Sequence, residues 1–231
     1  MRADLRHALT MLTFGKHPVI ELTRDVYEQI KKARDALSKG LALEERYEIL
    51  VSSYSDLETE ILNQAVHSML RRPLGYEDLF IRRLAFNQRL LCLFTAAELC
   101  LDTLPPDVAA ITKTGKDAAQ VRALRRKERA ANDGFWFMEA LRNHAQHRGL
   151  PVHWVEVNHS TTGSDQTREL VYSVTLASAR DLLSADKRFF NELLKRMPEK
   201  IDLQIFRWQR RSTLRASAEY MPRGVPWSNG H

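Results

Sequence analysis

At 231 residues, with 44% hydrophobic and 28% charged side chains, the chain is long enough to bury a substantial core and too balanced for disorder, collagen or a low-complexity array. A formal charge of +6, carried by 25 arginines against ten lysines, suits a polyanionic partner and equally suits ordinary solubility, so charge excludes little. The length points to one main domain with appended elements, and no internal repeat is visible.

In chain order, the N-terminal MRADLRHALTMLTFGKHPV lacks the apolar centre of a signal peptide. Val26, Ile30, Ala33 and Leu37 then recur at helical spacing, and Gly40 is placed to close that segment as a C-terminal cap, which predicts a helical extension over 1–40. Tyr47, Leu50, Tyr54, Leu57 and Ile61 define a long amphipathic helix ending before Pro73. A third helix is expected from about Tyr76 to Asp102, stopped by Pro105 and Pro106. Its stretch LLCLFTAAELCL is apolar on nearly every side, which predicts a position in the middle of a bundle, with Cys92 and Cys100 as reduced core cysteines. The run is too short to span a bilayer and contains Glu98, so a cytoplasmic protein with no membrane partner is expected.

The next helix, GKDAAQVRALRRKERAAND, places Arg122, Arg125, Arg126 and Arg129 on one face. Asn132 or Asp133 caps a further helix, driven by Phe135, Trp136, Met138 and Leu141 and stopped by Gly149 and Pro151. The period then falls to two: PVHWVEVNH and ELVYSVTL, separated by STTGSDQTR, predict a β-hairpin. A terminal amphipathic helix over about Ala185 to Met197, with Phe189, Leu193 and Leu194 in its stripe, leads to a loose Arg- and Trp-bearing tail. The fold class is therefore mainly α: an antiparallel helical bundle over 41–150, preceded by the 1–40 extension, with the small hairpin, helix and tail of 151–231 packed on it.

The chemistry concentrates at the end of FWFMEALRNHAQHRG. Arg142 and His147 are separated by about 140° and about 7.5 Å of rise on a regular helix, while Asn143 lies only about 40° from His147. Three such heads suit cleavage of RNA without a metal or cofactor. The ribose 2′-OH is its own nucleophile; histidine moves a proton near neutrality, and arginine holds a non-bridging phosphate oxygen as charge accumulates. Asn143 orients the histidine or the phosphate. The bare spacing is weak, since this composition produces roughly two or three Arg-x4–6-His matches by chance, and a solvated arginine with a helix-terminal histidine is the ordinary alternative.

RNHAQH, with its aromatic lead-in FWFMEAL, the continuation RGLPVH and the earlier helix FNQRLLCLFTAAELCLD, resembles the HEPN superfamily over about residues 41–150. That resemblance implies a HEPN-like bundle with Arg142, Asn143 and His147 as catalytic residues. It implies a metal-independent endoribonuclease, often a toxin or antiviral defence effector, in which two chains juxtapose their motifs across a homodimer interface, with an antitoxin or regulatory protein as a possible further partner. Other members of the family bind RNA, a nucleotide or a protein without cleaving.

Two polar residues of the third helix, Asn87 and Glu98, lie within about 20° on a helical wheel and need partners. Glu98 either aims Arg142 or tunes His147; a purely structural Glu–Arg pair is the alternative. The Arg122, Arg125, Arg126, Arg129 face offers RNA phosphates a track, or is simply solvated beside Asp117 and Glu128. His144, His147, His153 and His159 lack cysteine or acidic partners at metal-ligand spacing, so no metal site is expected. The tail's FRWQRR and GVPWSNG either stack on bases or, as such residues more often do, pack on protein. Without a P-loop, GxGxxG, GxSxG or HExxH, the corresponding nucleotide, redox, serine-hydrolase and zinc-protease chemistries lack support.

Overall fold

The apolar run at 90–101 forms the centre of the fold. In the computed structural model, which describes residues 7–11, 14–15, 18–70, 75–163, 169–186, 189 and 191–204, it lies within a helix of 37 residues, α2 (Tyr76–Thr112). Ahead of it come β1 (His7–Thr10), β2 (Val19–Leu22) and α1 (Arg24–Leu70); after it α3 (Gly115–Ala131), α4 (Asp133–His147), β3 (Trp154–Thr162), β4 (Glu169–Ala179), α5 (Arg180–Ser184), α6 (Asn191–Leu194) and β5 (Lys200–Asp202). The protein is mainly helical with two small antiparallel sheets, β1-β2 and β3-β4-β5. Leu50, Leu57 and Ile61 of α1, Phe86, Leu90, Leu93, Phe94 and Ala97 of α2, Phe137 and Leu141 of α4, and Val174 and Leu176 of β4 share one core.

Several boundaries differ from expectation for identifiable reasons. Gly40 caps nothing: α1 runs unbroken through it, because a glycine inside a helix weakens the helix without ending it. The stripe Val26, Ile30, Leu37 is exposed, and the helix start meets the β1-β2 hairpin through His7, whose ring stacks on Tyr27 at 4.1 Å. That hairpin has no counterpart in the expected helical extension. Pro105 and Pro106 lie inside α2, which continues to Thr112 although each proline removes one backbone donor. Pro105 is buried, and Asp107 pairs with Arg46 of α1, so tertiary contacts hold the segment helical. The run 90–101 is also less enclosed than its apolarity predicts. Leu99 and Cys92 face solvent, and only Cys100 is buried, its thiol pKa pushed up by that burial. Among the described helices α2 alone is long and apolar enough to cross a membrane; Leu90, Leu93, Phe94 and Ala97 are buried in the core instead.

The expected hairpin forms with Trp154 opposite Ala177 and Thr162 opposite Glu169, and gains β5 as a third strand beside the end of β4. Of the expected helix over 185–197, only α6 is helical among the described residues, and the short α5 ends just before that range. The chain breaks at Asp186, whose carbonyl accepts from the Phe189 N–H and whose carboxylate is drawn to α4. Phe189, Leu193 and Leu194 still reach the core. The two tail motifs, FRWQRR from residue 206 and GVPWSNG, lie outside the described residues, as do 164–168 of the hairpin loop.

Nothing lies within 4 Å of a Cβ built on Gly40, and its backbone is helical. Gly40→Ala should therefore stabilise the protein by about 0.5–1 kcal/mol, read as a higher midpoint of urea unfolding. An unchanged or lower midpoint would show that the glycine is needed for something the chain alone does not display.

Candidate functional site

Helix α4 begins where Asn132 accepts the Phe135 N–H on its side chain at 3.1 Å, and it presents Phe137 and Leu141 to the core. The same stripe continues to His144, which is buried and not part of the exposed motif. Its Nδ1 lies 3.0 Å from Asp186 Oδ2, and its ring stands edge-on to Phe189. Gly149 packs against that ring so closely that a Cβ there would approach Nε2 to 3.3 Å. At the helix stop after His147, His144 O accepts the N–H groups of Arg148 and Gly149, and a side chain at 149 would crowd the His144 ring.

Arg142 points the other way around α4, toward α2. Its guanidinium forms an ion pair with Glu98, and its Nη2 donates to Asn143 Oδ1 at 2.6 Å. Gln146, one turn on, donates to the second Glu98 oxygen at 3.3 Å. The Arg142 side chain is 16% exposed and Glu98 30%; desolvation lowers the arginine's pKa, yet a guanidinium remains cationic in proteins. Asn143 and His147 are exposed on the solvent side of the same helix end, and His147 makes no hydrogen bond or ion pair among the described residues.

Of the residues singled out in the sequence, Arg142, Asn143 and Glu98 are therefore brought into contact. His147 stands one turn beyond them and shares no hydrogen bond or ion pair with them. Asn87 belongs elsewhere: fully buried, it donates to the carbonyls of Arg83 and Val152 at 2.9 and 3.0 Å and accepts the Val152 N–H at 2.8 Å. It pins the chain after α4 to α2 and supports the site only by fixing where α4 ends. Gln146 was overlooked, and so was the buried His144–Asp186 pair. Its signal was present, since His144 continues the 137, 141 spacing of the apolar stripe.

The arginine face of α3 is largely spent on carboxylates. Arg125 bonds Asp102 at 2.7 Å and Glu139 at 2.9 Å, and Arg129 lies 3.4 Å from Glu139. Only Arg122 and Arg126 of the four remain without an ion pair among the described residues. No group of three or more His, Cys, Asp or Glu side chains suited to a metal occurs among the described residues. Compared with protein-family models, curated proteins and solved structures, the chain matches none.

Behind the site, His153 accepts the Ala179 N–H on Nδ1 at 2.9 Å, which requires that nitrogen to be unprotonated. Burial first, then His144 and Arg83, lower its pKa below the ordinary 6.5, with Asp181 opposing. A depressed folded pKa means that the unfolded chain binds the proton more readily. The contribution to stability is thus complete above about 6.5 and is lost as pH falls below it. His153→Asn, which keeps an acceptor near the Nδ1 position, should show a smaller loss of unfolding free energy between pH 8 and 5 than the parent protein. An identical loss in both would remove His153 from the pH response.

Proposed function

We propose that the chain is a metal-independent endoribonuclease of HEPN type, acting as a homodimer whose two α4 ends form one cleft. The carrying observation is the division of labour at that helix end: Arg142 is held by Glu98 and Asn143, while His147 is exposed and uncommitted one turn away. A histidine without a partner is free to exchange a proton with a ligand. An arginine braced by a carboxylate presents its remaining donors in a fixed direction without the entropy cost of ordering a loose side chain.

In the reaction the substrate's 2′-OH attacks the adjacent phosphorus. His147 removes the hydroxyl proton, the bond to the 5′-oxygen breaks, and that oxygen takes a proton, given by the second His147 of the pair. The products are a 2′,3′-cyclic phosphate and a free 5′-hydroxyl. Arg142 stabilises the extra negative charge on the non-bridging oxygens of the transition state, and Asn143, whose oxygen is occupied by Arg142, offers its amide N–H groups to position the phosphate. Non-catalytic RNA binding on the same surface is the second reading. It is favoured by the Glu98 pairing, which already satisfies part of the guanidinium that the transition state would use.

With RNA in excess chelator, the parent protein should release cyclic-phosphate ends, and His147→Ala should fall by a factor of about 100 or more. Equal cutting by both proteins, or cutting only without chelator, would refute the mechanism; RNA affinity without turnover would select the second reading. Glu98→Gln tests the brace. Its neutral amide still fits the space but releases the charge pairing, so turnover should drop about tenfold or more with little change in RNA affinity. Unaltered turnover would assign Glu98 a purely structural role.

A further inference from the structure

A cleft of about 610 Å³ opens between the second half of α2, α3 and the first turn of α4. Its floor is apolar: Leu101, Leu104, Val121, Leu124 and Phe135 line it, and Leu124 is 42% exposed although it sits in mid-helix. At its rim stand Arg122, Arg126 and Lys127. The two acids that share the lining, Asp102 and Glu128, are both engaged already, Asp102 by Arg125 and Glu128 by the side-chain amide of Asn132 at 3.2 Å. Arg122 and Arg126 are four apart on one face of α3 and unpaired among the described residues, as is Lys127. The cleft thus combines an uncovered apolar floor with a rim that is positive on balance, three cations standing against the carboxylate of Glu128.

The geometry points to a binding site for an amphipathic anion, specifically a medium-chain acyl carboxylate, with its chain on the α2–α3 floor and its head on Arg122 and Arg126. Two observations favour that occupant over the nucleic-acid backbone for which four arginines in a row are suited. Only two of the row remain available, because Glu139 holds Arg125 and Arg129. A phosphate backbone offers nothing to fill an apolar floor, whereas each buried methylene of an acyl chain gains roughly fourfold in affinity. The volume falls within the range of about 300–1,000 Å³ typical of small-molecule sites. A guanidinium pair also matches a carboxylate head by forked hydrogen bonds. The site is distinct from the RNHAQH end of α4, since Phe135 and His147 are separated by about 18 Å along that helix.

Calorimetric titration of the full chain with dodecanoate, below its micellar range, tests the assignment. Saturable binding is expected, at least tenfold tighter than that of octanoate and weakened by salt. Arg122→Ala with Arg126→Ala, two exposed helix positions where alanine preserves folding, should reduce dodecanoate affinity at least tenfold while circular dichroism stays unchanged. No saturable heat, equal affinities for the two chain lengths, or an unaffected double variant would overturn the proposal. Displacement of dodecanoate by a short single-stranded oligoribonucleotide of higher affinity would overturn it in favour of a nucleic-acid track. A dimer in sedimentation that Leu124→Arg converts to monomer would overturn it in favour of a second copy of the chain covering the cleft.

Discussion

One polar edge of α2 fixes where everything after it sits. Asn87, Glu98 and Asp102 fall within about 60° of one another around that helix but are spread along it, with about 16 Å of rise from the first to the second and about 6 Å from the second to the third. Each takes a different partner: Asn87 the backbone of Val152, Glu98 the side chains of Arg142 and Gln146, and Asp102 the Arg125 guanidinium that also grips Glu139. Partner numbers on α4 and its continuation fall as those on α2 rise, so the two helices run antiparallel in a single register. An apolar interface of Phe86, Leu90, Phe94, Phe137 and Leu141 supplies the driving force for packing but tolerates sliding. The polar edge does not, because a shift of one turn would leave the buried Asn87 amide and two backbone groups of Val152 unsatisfied, each at a cost of about 1–3 kcal/mol.

That register explains how a helix end becomes a site. With α4 fixed by Asn87 beyond its C-terminus and by Arg125 and Glu139 nearer its start, its last turns have a defined position over Glu98, which meets Arg142 there. His144 adds a second constraint from the opposite side, joining the helix end to Asp186 between α5 and α6. His147 lies outside both constraints. The motif is therefore a braced helix end with one exposed imidazole that shares no hydrogen bond or ion pair with the residues bracing it.

How much of this was legible in the sequence depends on which dimension of the helix a pattern reports. Hydrophobic period located the α4 helix and the strand pair, because it samples burial directly: Phe137 and Leu141 are fully buried as their spacing implies. The Arg142–Glu98 contact was legible as one of two options for Glu98. A wheel places Asn87 and Glu98 side by side because it records angle and discards rise; eleven residues of rise send them to different partners. Gly40, Pro105 and Pro106 were read as stops from local preference, and α1 and α2 continue through them because Leu50, Leu57, Pro105 and the Arg46–Asp107 pair outweigh about 1–3 kcal/mol of local penalty. The arginine row was read from position alone, yet whether a cation is available depends on Asp102 and Glu139, which lie on other helices.

The two histidines of RNHAQH show most clearly what the fold adds to a motif. In sequence they are separated by two residues and chemically identical, and either fits a proton-transfer role. On the helix they differ by about 300° and one turn of rise, so they are near neighbours, yet their surroundings are opposite. His144 is buried, with a carboxylate 3.0 Å from one ring nitrogen and a glycine close beside the other. Solvent surrounds His147. A substitution at His144 therefore acts through the position of the helix end, and one at His147 changes only an exposed side chain. The first change should lower folding stability; the second should leave the fold untouched. The sequence cannot assign these roles, because the residue that separates them, Asp186, lies forty-two positions away on a segment expected to be regular helix.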